Sequence, residues 1–147
     1  MKTVVAPVGE FPPGERRIIK VGGRSIGLFR VGDRFYAVRN RCPHQGGPLC
    51  VGHILGDATA DEPGRAVVSE DPLRIACPWH GWEYDLATGQ SFIGAAQPAV
   101  KSYRVALEPG SSLVAELDEE RVRLLPGPYT AETFAVTVEN DYVVLEV

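Results

Sequence analysis

Two short motifs in this chain each combine a thiol with an imidazole. Cys42-Pro-His44 and Cys77-Pro-Trp-His80 lie in turn-rich segments, and each holds one cysteine and one histidine within a few residues. Two thiols and two imidazoles suit either a tetrahedral Zn²⁺ site or a two-iron cluster in which one iron takes sulfur and the other takes nitrogen. The spacing of these residues predicts a metal centre formed by two loops.

The division of donors between the loops favours the second alternative. Zinc fingers usually take both cysteines from one knuckle and both histidines from a helix. Here each loop supplies one of each, and no helical pattern follows His80. Gly46, Gly47 and Gly81 follow the motifs closely. Glycines let backbone N–H groups approach cluster sulfides, and hydrogen bonds to sulfur tune a redox potential.

The rest of the chain is predicted to form short strands separated by turns. It contains 16 Gly and 12 Pro, and its apolar runs are rich in β-branched and aromatic residues. Runs of this kind with frequent turn signals predict an all-β meander, sandwich or small barrel. The predicted strands are Arg16–Val21, Ser25–Val31, Arg34–Val38, Arg74–Cys77, Trp82–Leu86, Gln90–Ile93, Val100–Leu107, Phe134–Glu139 and Tyr142–Val147.

Three segments need separate predictions. Asp57–Asp71 is acidic and contains a Pro-Gly pair, which predicts a surface loop or hairpin. Leu113–Leu125 contains residues that favour a helix, but its strand-rich neighbourhood favours a hairpin, which is the structure we expect. Phe134–Val138 and Tyr142–Val147 are predicted to pair in a closing hairpin around an Asn-Asp turn.

Composition and charge exclude several classes of protein. The chain has 147 residues, of which 44% are hydrophobic and 23% charged, as expected for one globular domain. Its formal net charge of −4 makes nucleic-acid binding unexpected. No apolar run approaches the ~20 residues of a membrane span, and the first residues do not form a signal peptide. We therefore expect a cytoplasmic protein without a membrane partner.

The two motifs, extended by the residues after them, resemble a known family. Cys42-Pro-His-Gln-Gly-Gly-Pro-Leu and Cys77-Pro-Trp-His-Gly-Trp-Glu-Tyr-Asp-Leu-Ala-Thr-Gly resemble the Rieske [2Fe–2S] domain, especially the ferredoxins and oxygenase N-terminal domains of aromatic-ring hydroxylating systems. The resemblance implies a Rieske-like antiparallel β-sandwich with a small cluster-binding subdomain. It also implies a cluster held by Cys42 and Cys77 on one iron and by His44 and His80 on the other.

The resemblance covers nearly the whole chain and predicts one Rieske domain over residues 1–147. Its cluster-binding loops would span about 42–50 and 77–82. Two segments, about 54–73 and 107–133, are interpreted as insertions relative to minimal Rieske ferredoxins.

Differences within the motifs favour one function among Rieske proteins. High-potential respiratory members carry two bridging cysteines, where this chain has Gly47 and Trp79, and a serine that donates to a sulfide, where it has Trp82. Losing a hydrogen bond to sulfur leaves the reduced cluster less stabilised and lowers its potential. We therefore expect a low-potential cluster rather than quinol oxidation.

The remaining residues do not supply a second metal site. A full oxygenase needs a mononuclear iron bound by two further histidines and a carboxylate, but only His53 remains. The chain by itself is thus predicted not to be an enzyme but a soluble carrier that passes single electrons from a flavin reductase to an oxygenase-type acceptor. The alternative is a non-catalytic Rieske subunit, or a redox-sensing or binding module, of a larger enzyme complex.

The partner is expected to dock at the tip of the two loops. The predicted contact residues are His44, Gln45, Pro78, Trp79 and His80. The net charge of −4 favours a partner with a basic patch.

The other residues near the motifs have simpler expected roles. Cys50 is interpreted as a buried free cysteine and His53 as a loop residue. Tyr84 is equally compatible with a contact to the cluster region and with a purely structural place in a strand.

Overall fold

The computed structural model describes residues 2–92, 98–121 and 140–147. This part is mostly antiparallel β-structure, as predicted, and the bounds of its elements are as follows. The strands are β1 (Lys2–Pro7), β2 (Arg16–Val21), β3 (Arg24–Val31), β4 (Arg34–Arg39), β5 (His53–Ala60), β6 (Ala66–Ala76), β7 (Glu83–Asp85), β8 (Ser102–Pro109) and β9 (Asp141–Glu146); a helix, α1, spans Gly110–Arg121, and 3₁₀ turns occupy Val8–Glu10 and Leu49–Val51. Within the described ranges no helix is long and apolar enough to cross a membrane.

Six strands form one antiparallel sheet in the order β1-β9-β8-β4-β3-β2. Its two three-stranded halves are joined where Ala37 pairs with Tyr103 and Val38 pairs with Ser102. The halves share an apolar core that joins Ile26 and Leu28 of one half to Val143 and Leu145 of the other. The halves therefore pack as the two layers of a sandwich, and the predicted β-sandwich is confirmed.

Strand β3 separates this core from a second one. Neighbouring side chains of a strand point to opposite faces, so Ile26 and Leu28 enter the first core while Phe29 enters the second. Gly27 also faces the second core, where a Cβ would overlap the buried Cys50 side chain. Strand β3 thus supports the second core from below. That core contains Phe29, Val38, Cys42, Leu49, Cys50, Ile75, Cys77, Tyr84, Leu86 and Val100.

The second core is covered by a small sheet in the order β5-β6-β7. Strands β5 and β6 form a long hairpin, so the acidic segment Asp57–Asp71 is a hairpin, one of the two predicted forms. The loop with Cys42 leads into β5, and the loop with Cys77 connects β6 to β7. Both predicted motifs therefore lie at the same end of the small sheet.

The segment after β8 differs from the prediction. Gly110–Arg121 is a helix, so the hairpin expected over Leu113–Leu125 is wrong for this part. The run contains strong helix formers, so local preference prevails over the strand-rich neighbourhood. Both edges of β9 are occupied, by β1 and by β8. The predicted hairpin partner Phe134–Val138 lies outside the described residues.

Gly52 allows the first loop to approach the end of β6. A Cβ at this position would overlap the carbonyl oxygen of Ala76 and lie 2.9 Å from its carbonyl carbon. The backbone at this contact cannot easily move, so Gly52→Ala should lower the free energy of unfolding by about 1–3 kcal/mol. Gly9→Ala is the matched control, because a Cβ there meets nothing within 4 Å. Urea unfolding of both variants checks this, and equal curves would contradict the proposed close packing.

Candidate metal centre

The two motif loops have the same pattern of internal backbone hydrogen bonds. The N–H of Cys42 donates to the carbonyl of Gly47 (2.8 Å), and the N–H of Gly46 donates back to the carbonyl of Cys42 (2.8 Å). The N–H of Cys77 donates to the carbonyl of Trp82 (2.8 Å), and the N–H of Gly81 to the carbonyl of Cys77 (2.9 Å). Gly46 and Gly81 have φ values of 80° and 72°, which only glycine adopts easily. Each loop thus presents its cysteine at the start of the same tight turn.

The two cysteine side chains meet inside the second core. Cys42 is 2% exposed and Cys77 is 3% exposed, and both side chains belong to the same apolar core. Burial raises the pKa of Cys77, the adjacent Cys42 raises it further, and backbone amides of Trp79 and His80 that donate to its sulfur oppose the shift. Two buried thiolates need a cation between them, which is what a metal centre supplies.

The two imidazoles lie together on the outer side of the thiols. The rings of His44 and His80 are 4.8 Å apart, inclined by 75°. His44 is half-buried and stacks on the indole of Trp82, with ring centres 3.8 Å apart and planes inclined by 9°. His80 is exposed. The buried Nδ1 of His44 has no hydrogen-bond partner among the described residues, so it is free to bind a metal.

This arrangement fits a two-iron cluster. Such a cluster takes one pair of sulfur ligands and one pair of nitrogen ligands, and the four predicted residues form one thiol pair and one imidazole pair. The division into one thiol pair and one imidazole pair agrees with two metal ions that have two protein ligands each.

The loops also contact each other where Gly47 faces Trp79. A Cβ at Gly47 would be 2.9 Å from Cδ2 of Trp79 and 3.1 Å from Sγ of Cys77. These are the two positions at which respiratory Rieske proteins would carry bridging cysteines. Here a glycine and the indole face fill that space, while 56% of Trp79 remains exposed.

Tyr84 contacts the thiol pair, a role that the sequence left open. Its hydroxyl oxygen lies 3.4 Å from Sγ of Cys42, and its ring is fully buried. Burial raises the pKa of Tyr84, and the hydrogen bond to Cys42 raises it further. The phenol is therefore protonated at physiological pH, and its O–H can donate to a thiolate.

The remaining predicted residues lie beside the site without joining it. Cys50 is buried and free, as expected, and burial raises the pKa of its thiol to about 12. His53 is exposed at the start of β5. Sequence analysis missed Arg16, whose guanidinium donates to the carbonyls of Cys50 (3.1 Å) and Gly52 (2.6 Å). Arg16 fixes the first loop from a distant strand, so no local motif could reveal it.

The fold and the two loops define the class of protein. The Rieske [2Fe-2S] domain family matches residues 1–104, which include both loops, and the chain belongs to this family. The suspected resemblance is thereby confirmed, and with it the Rieske-type [2Fe–2S] cluster as the cofactor. The assignment of individual residues as cluster ligands stays a prediction.

Within the family, the chain is similar to ferredoxin components of dioxygenases. It is 31% identical over 113 residues to the 3-phenylpropionate/cinnamic acid dioxygenase ferredoxin subunit of Shigella boydii serotype 4 (strain Sb227), covering 77% of this chain and 91% of that protein. The ferredoxin of carbazole 1,9a-dioxygenase from Nocardioides aromaticivorans IC177 has a similar structure, with a TM-score of 0.55 and 26% identity over 73% of this chain and 89% of that one.

A third similarity concerns the fold alone. A Mycobacterium tuberculosis chain assigned as the small subunit of an NADH-dependent nitrite reductase aligns with a TM-score of 0.59. The alignment covers 100% of this chain and 96% of that chain, at 17% identity. The same architecture therefore extends over the full length of another protein.

The hydroxyl of Tyr84 should raise the reduction potential of the bound cluster. A hydrogen bond to sulfur stabilises the more negative, reduced state. Such a bond is worth about 0.5–1.5 kcal/mol, and about 1.4 kcal/mol corresponds to 59 mV for one electron. Tyr84→Phe should therefore lower the midpoint potential by roughly 20–60 mV, measured by protein-film voltammetry.

Tyr36→Phe is the matched control for this substitution. Tyr36 packs against the same core, but its hydroxyl interacts with Arg34 and not with a cysteine. The midpoint potential of the Tyr36→Phe variant should match that of the unmodified protein. An unchanged potential in Tyr84→Phe, or an equal shift in both variants, would contradict a specific role for the Tyr84 hydroxyl.

Proposed function

We propose that this chain is a soluble cytoplasmic electron carrier with a low-potential Rieske cluster. It accepts single electrons from a flavin reductase and passes them to an oxygenase-type acceptor, and it catalyses no reaction by itself. The observation that carries the proposal is the orientation of the loop tips: the thiol pair is buried and the imidazole pair lies toward the surface. The names of its relatives as dioxygenase ferredoxins support the choice of acceptor.

We infer that Cys42, Cys77, His44 and His80 hold the cluster. When bound, the cluster takes up and releases one electron at a time. The two cysteines would hold it from the protein side, where amide donors from Trp79 and His80 reach the sulfur of Cys77. The exposed imidazole of His80 gives a partner a short path to the metal, because no side chain has to move to uncover it.

The whole chain is proposed to form one Rieske domain over residues 1–147. Strand β9 lies between β1 and β8, so residues close to both ends of the chain build one sheet. Two segments are inferred to be insertions, about 54–73 and 107–133. The match to the family stops at residue 104, before the second of them, whereas the first forms most of the β5–β6 hairpin.

The ligand assignment predicts a clear division among the chain's three cysteines and three histidines. Alanine substitution of Cys42, His44, Cys77 or His80 should remove the cluster or leave it strongly depleted. Cys50→Ala and His53→Ala are the matched controls, because neither side chain joins the loop tips. Iron and acid-labile sulfide analysis should give two of each per chain in the controls. A cluster lost equally in a control and in a ligand variant would contradict the assignment.

The carrier role predicts reversible one-electron chemistry at a low potential. Voltammetry at pH 7 should follow the Nernst relation for one electron, with a midpoint in the lower part of the Rieske range of about −150 to +300 mV. A strongly positive midpoint, or a cluster that cannot be reduced reversibly, would overturn the proposal. Isolation of the tagged chain from its own cells in a stable one-to-one complex with a large subunit would instead favour the alternative of a non-catalytic subunit.

A further inference from the structure

An open cleft of about 460 Å³ lies directly beside His44. Its lining includes the first loop, from Cys42 to Gly46, and three cationic residues, Arg39, Arg41 and Lys101. The described lining contains no acidic side chain. The cleft is therefore positive although the protein as a whole is negative.

The cations of this cleft are available to a partner. Arg34 and Arg74 each pair with an aspartate elsewhere on the surface. By contrast, Arg39, Arg41 and Lys101 form no ion pair within the described part of the chain, which leaves three positive groups without internal compensation. The Arg41 guanidinium lies against Gly46, since a Cβ built there would be 3.4 Å from its Nε.

The positive charge continues along the sheet beyond the cleft. An adjoining cavity shares Arg39 and Lys101 and adds Arg24 and Arg104. Its described lining also has two acidic groups: the Glu146 carboxylate, 3.4 Å from Arg104, and the terminal carboxylate of Val147. The name basic face is used below for these five cations: Arg24, Arg39, Arg41, Lys101 and Arg104.

The negative charge of the protein is concentrated at another place. Residues 57–71 contain five acidic residues and one arginine, a balance of 1 − 5 = −4, which equals the net charge of the entire chain. They include the turn of the β5–β6 hairpin, whereas the metal-site loops join the other ends of β5 and β6. At about 3.3 Å per residue, β6 with its 11 residues separates the two ends by roughly 35 Å. The acidic residues of the turn, Asp61 and Glu62, therefore lie farthest from the metal-site loops, while Asp57, Glu70 and Asp71 lie partway along the hairpin.

We propose that the basic face is a docking site for an acidic surface on the protein that exchanges electrons with the cluster. The inference rests on the proposed electron-carrier function and adds the chemistry of the partner. Exposed charges act over about 8–10 Å at moderate ionic strength, so the cations beside His44 decide the sign that an approaching partner meets. The partner is accordingly expected to carry carboxylates opposite the basic face, and not the basic patch that the net charge alone suggests.

The local sign of charge can be tested with small oxidants on the cluster-loaded protein. Stopped-flow mixing measures how fast the reduced protein transfers one electron to cobalt(III), which becomes cobalt(II). The anionic cobalt(III)–EDTA complex and the cationic hexaamminecobalt(III) ion are compared as ionic strength rises. The variants are Arg41→Glu and Lys101→Glu. Arg65→Glu is the matched control, because it changes the charge equally at the hairpin turn, where 80% of the side chain is exposed.

The proposal predicts that the rate with cobalt(III)–EDTA falls as ionic strength rises, although the protein and the oxidant are both negative overall. Arg41→Glu and Lys101→Glu should reduce this rate about threefold or more at low salt. At high salt each variant should approach the unmodified protein, which separates steering from any change in potential. Arg65→Glu should have little effect. A rate that rises with salt, or equal effects of all three substitutions, would overturn the proposal.

Binding of an acidic partner surface can be tested directly with a fluorescent peptide of ten glutamates. Fluorescence anisotropy should show salt-sensitive binding to the cluster-loaded protein and to Arg65→Glu, and weaker binding to Arg41→Glu and Lys101→Glu. If the peptide bound to none of these proteins, or bound equally well to the two cleft variants, the proposed docking site would be contradicted. Because reversible reduction of the cluster is measured separately, these results would leave the carrier function standing.

Discussion

Two thiols from different loops, those of Cys42 and Cys77, are buried in one apolar core, and the surrounding structure is organised around them. Cys42 and Cys77 lie 35 positions apart in the sequence, so the chain must bring two distant loops to one point. Each loop forms the same backbone turn, in which the amide four residues after the cysteine donates to the cysteine carbonyl. Both turns stand on a single apolar core supported by β3 and β4.

The side chains and amides around the two cysteines contact the site from different sides. Tyr84 offers an O–H to Cys42 from below, and backbone amides offer N–H groups to Cys77 from its own loop. On the outer side, Trp82 stacks against His44 and restricts how that imidazole can turn. Where respiratory Rieske proteins would use a disulfide, this chain has Gly47 beside the indole of Trp79, and a Cβ at Gly47 would overlap that ring.

The arrangement of charge shows why net charge is a poor guide to a docking surface. The acidic hairpin accounts for the whole negative balance, yet it is joined to the metal-site loops only through the length of β5 and β6. Arg39, Arg41 and Lys101 meet beside His44 because β4 pairs with the start of β8. Whether cations distant in the sequence lie together depends on how the strands pair, and composition alone does not show this.

The difference between short-range patterns and contacts of distant residues explains what could be predicted from the sequence. The all-β class, most strands and the two motif loops follow from short-range patterns: alternation, turn residues and the Cys/His spacing. The helix at Gly110–Arg121 was missed because the strand-rich surroundings were given more weight than the helix-forming residues themselves. Arg16 and the basic face were not predictable, since their contacts join residues that are distant in the sequence. The contact between Tyr84 and Cys42 could be recognised only once the position of the Tyr84 hydroxyl was known.

One imidazole from each loop is inferred to bind the cluster, and isotopic labelling of histidine can detect both nitrogen ligands. The cluster-loaded protein can be prepared with ¹⁵N-histidine, reduced by one electron and examined by pulsed electron paramagnetic resonance. The structure predicts two strongly coupled histidine nitrogens, and it predicts that both remain in His53→Ala. A reduced cluster without strongly coupled histidine nitrogen, or one that loses a coupling in His53→Ala, would contradict the account.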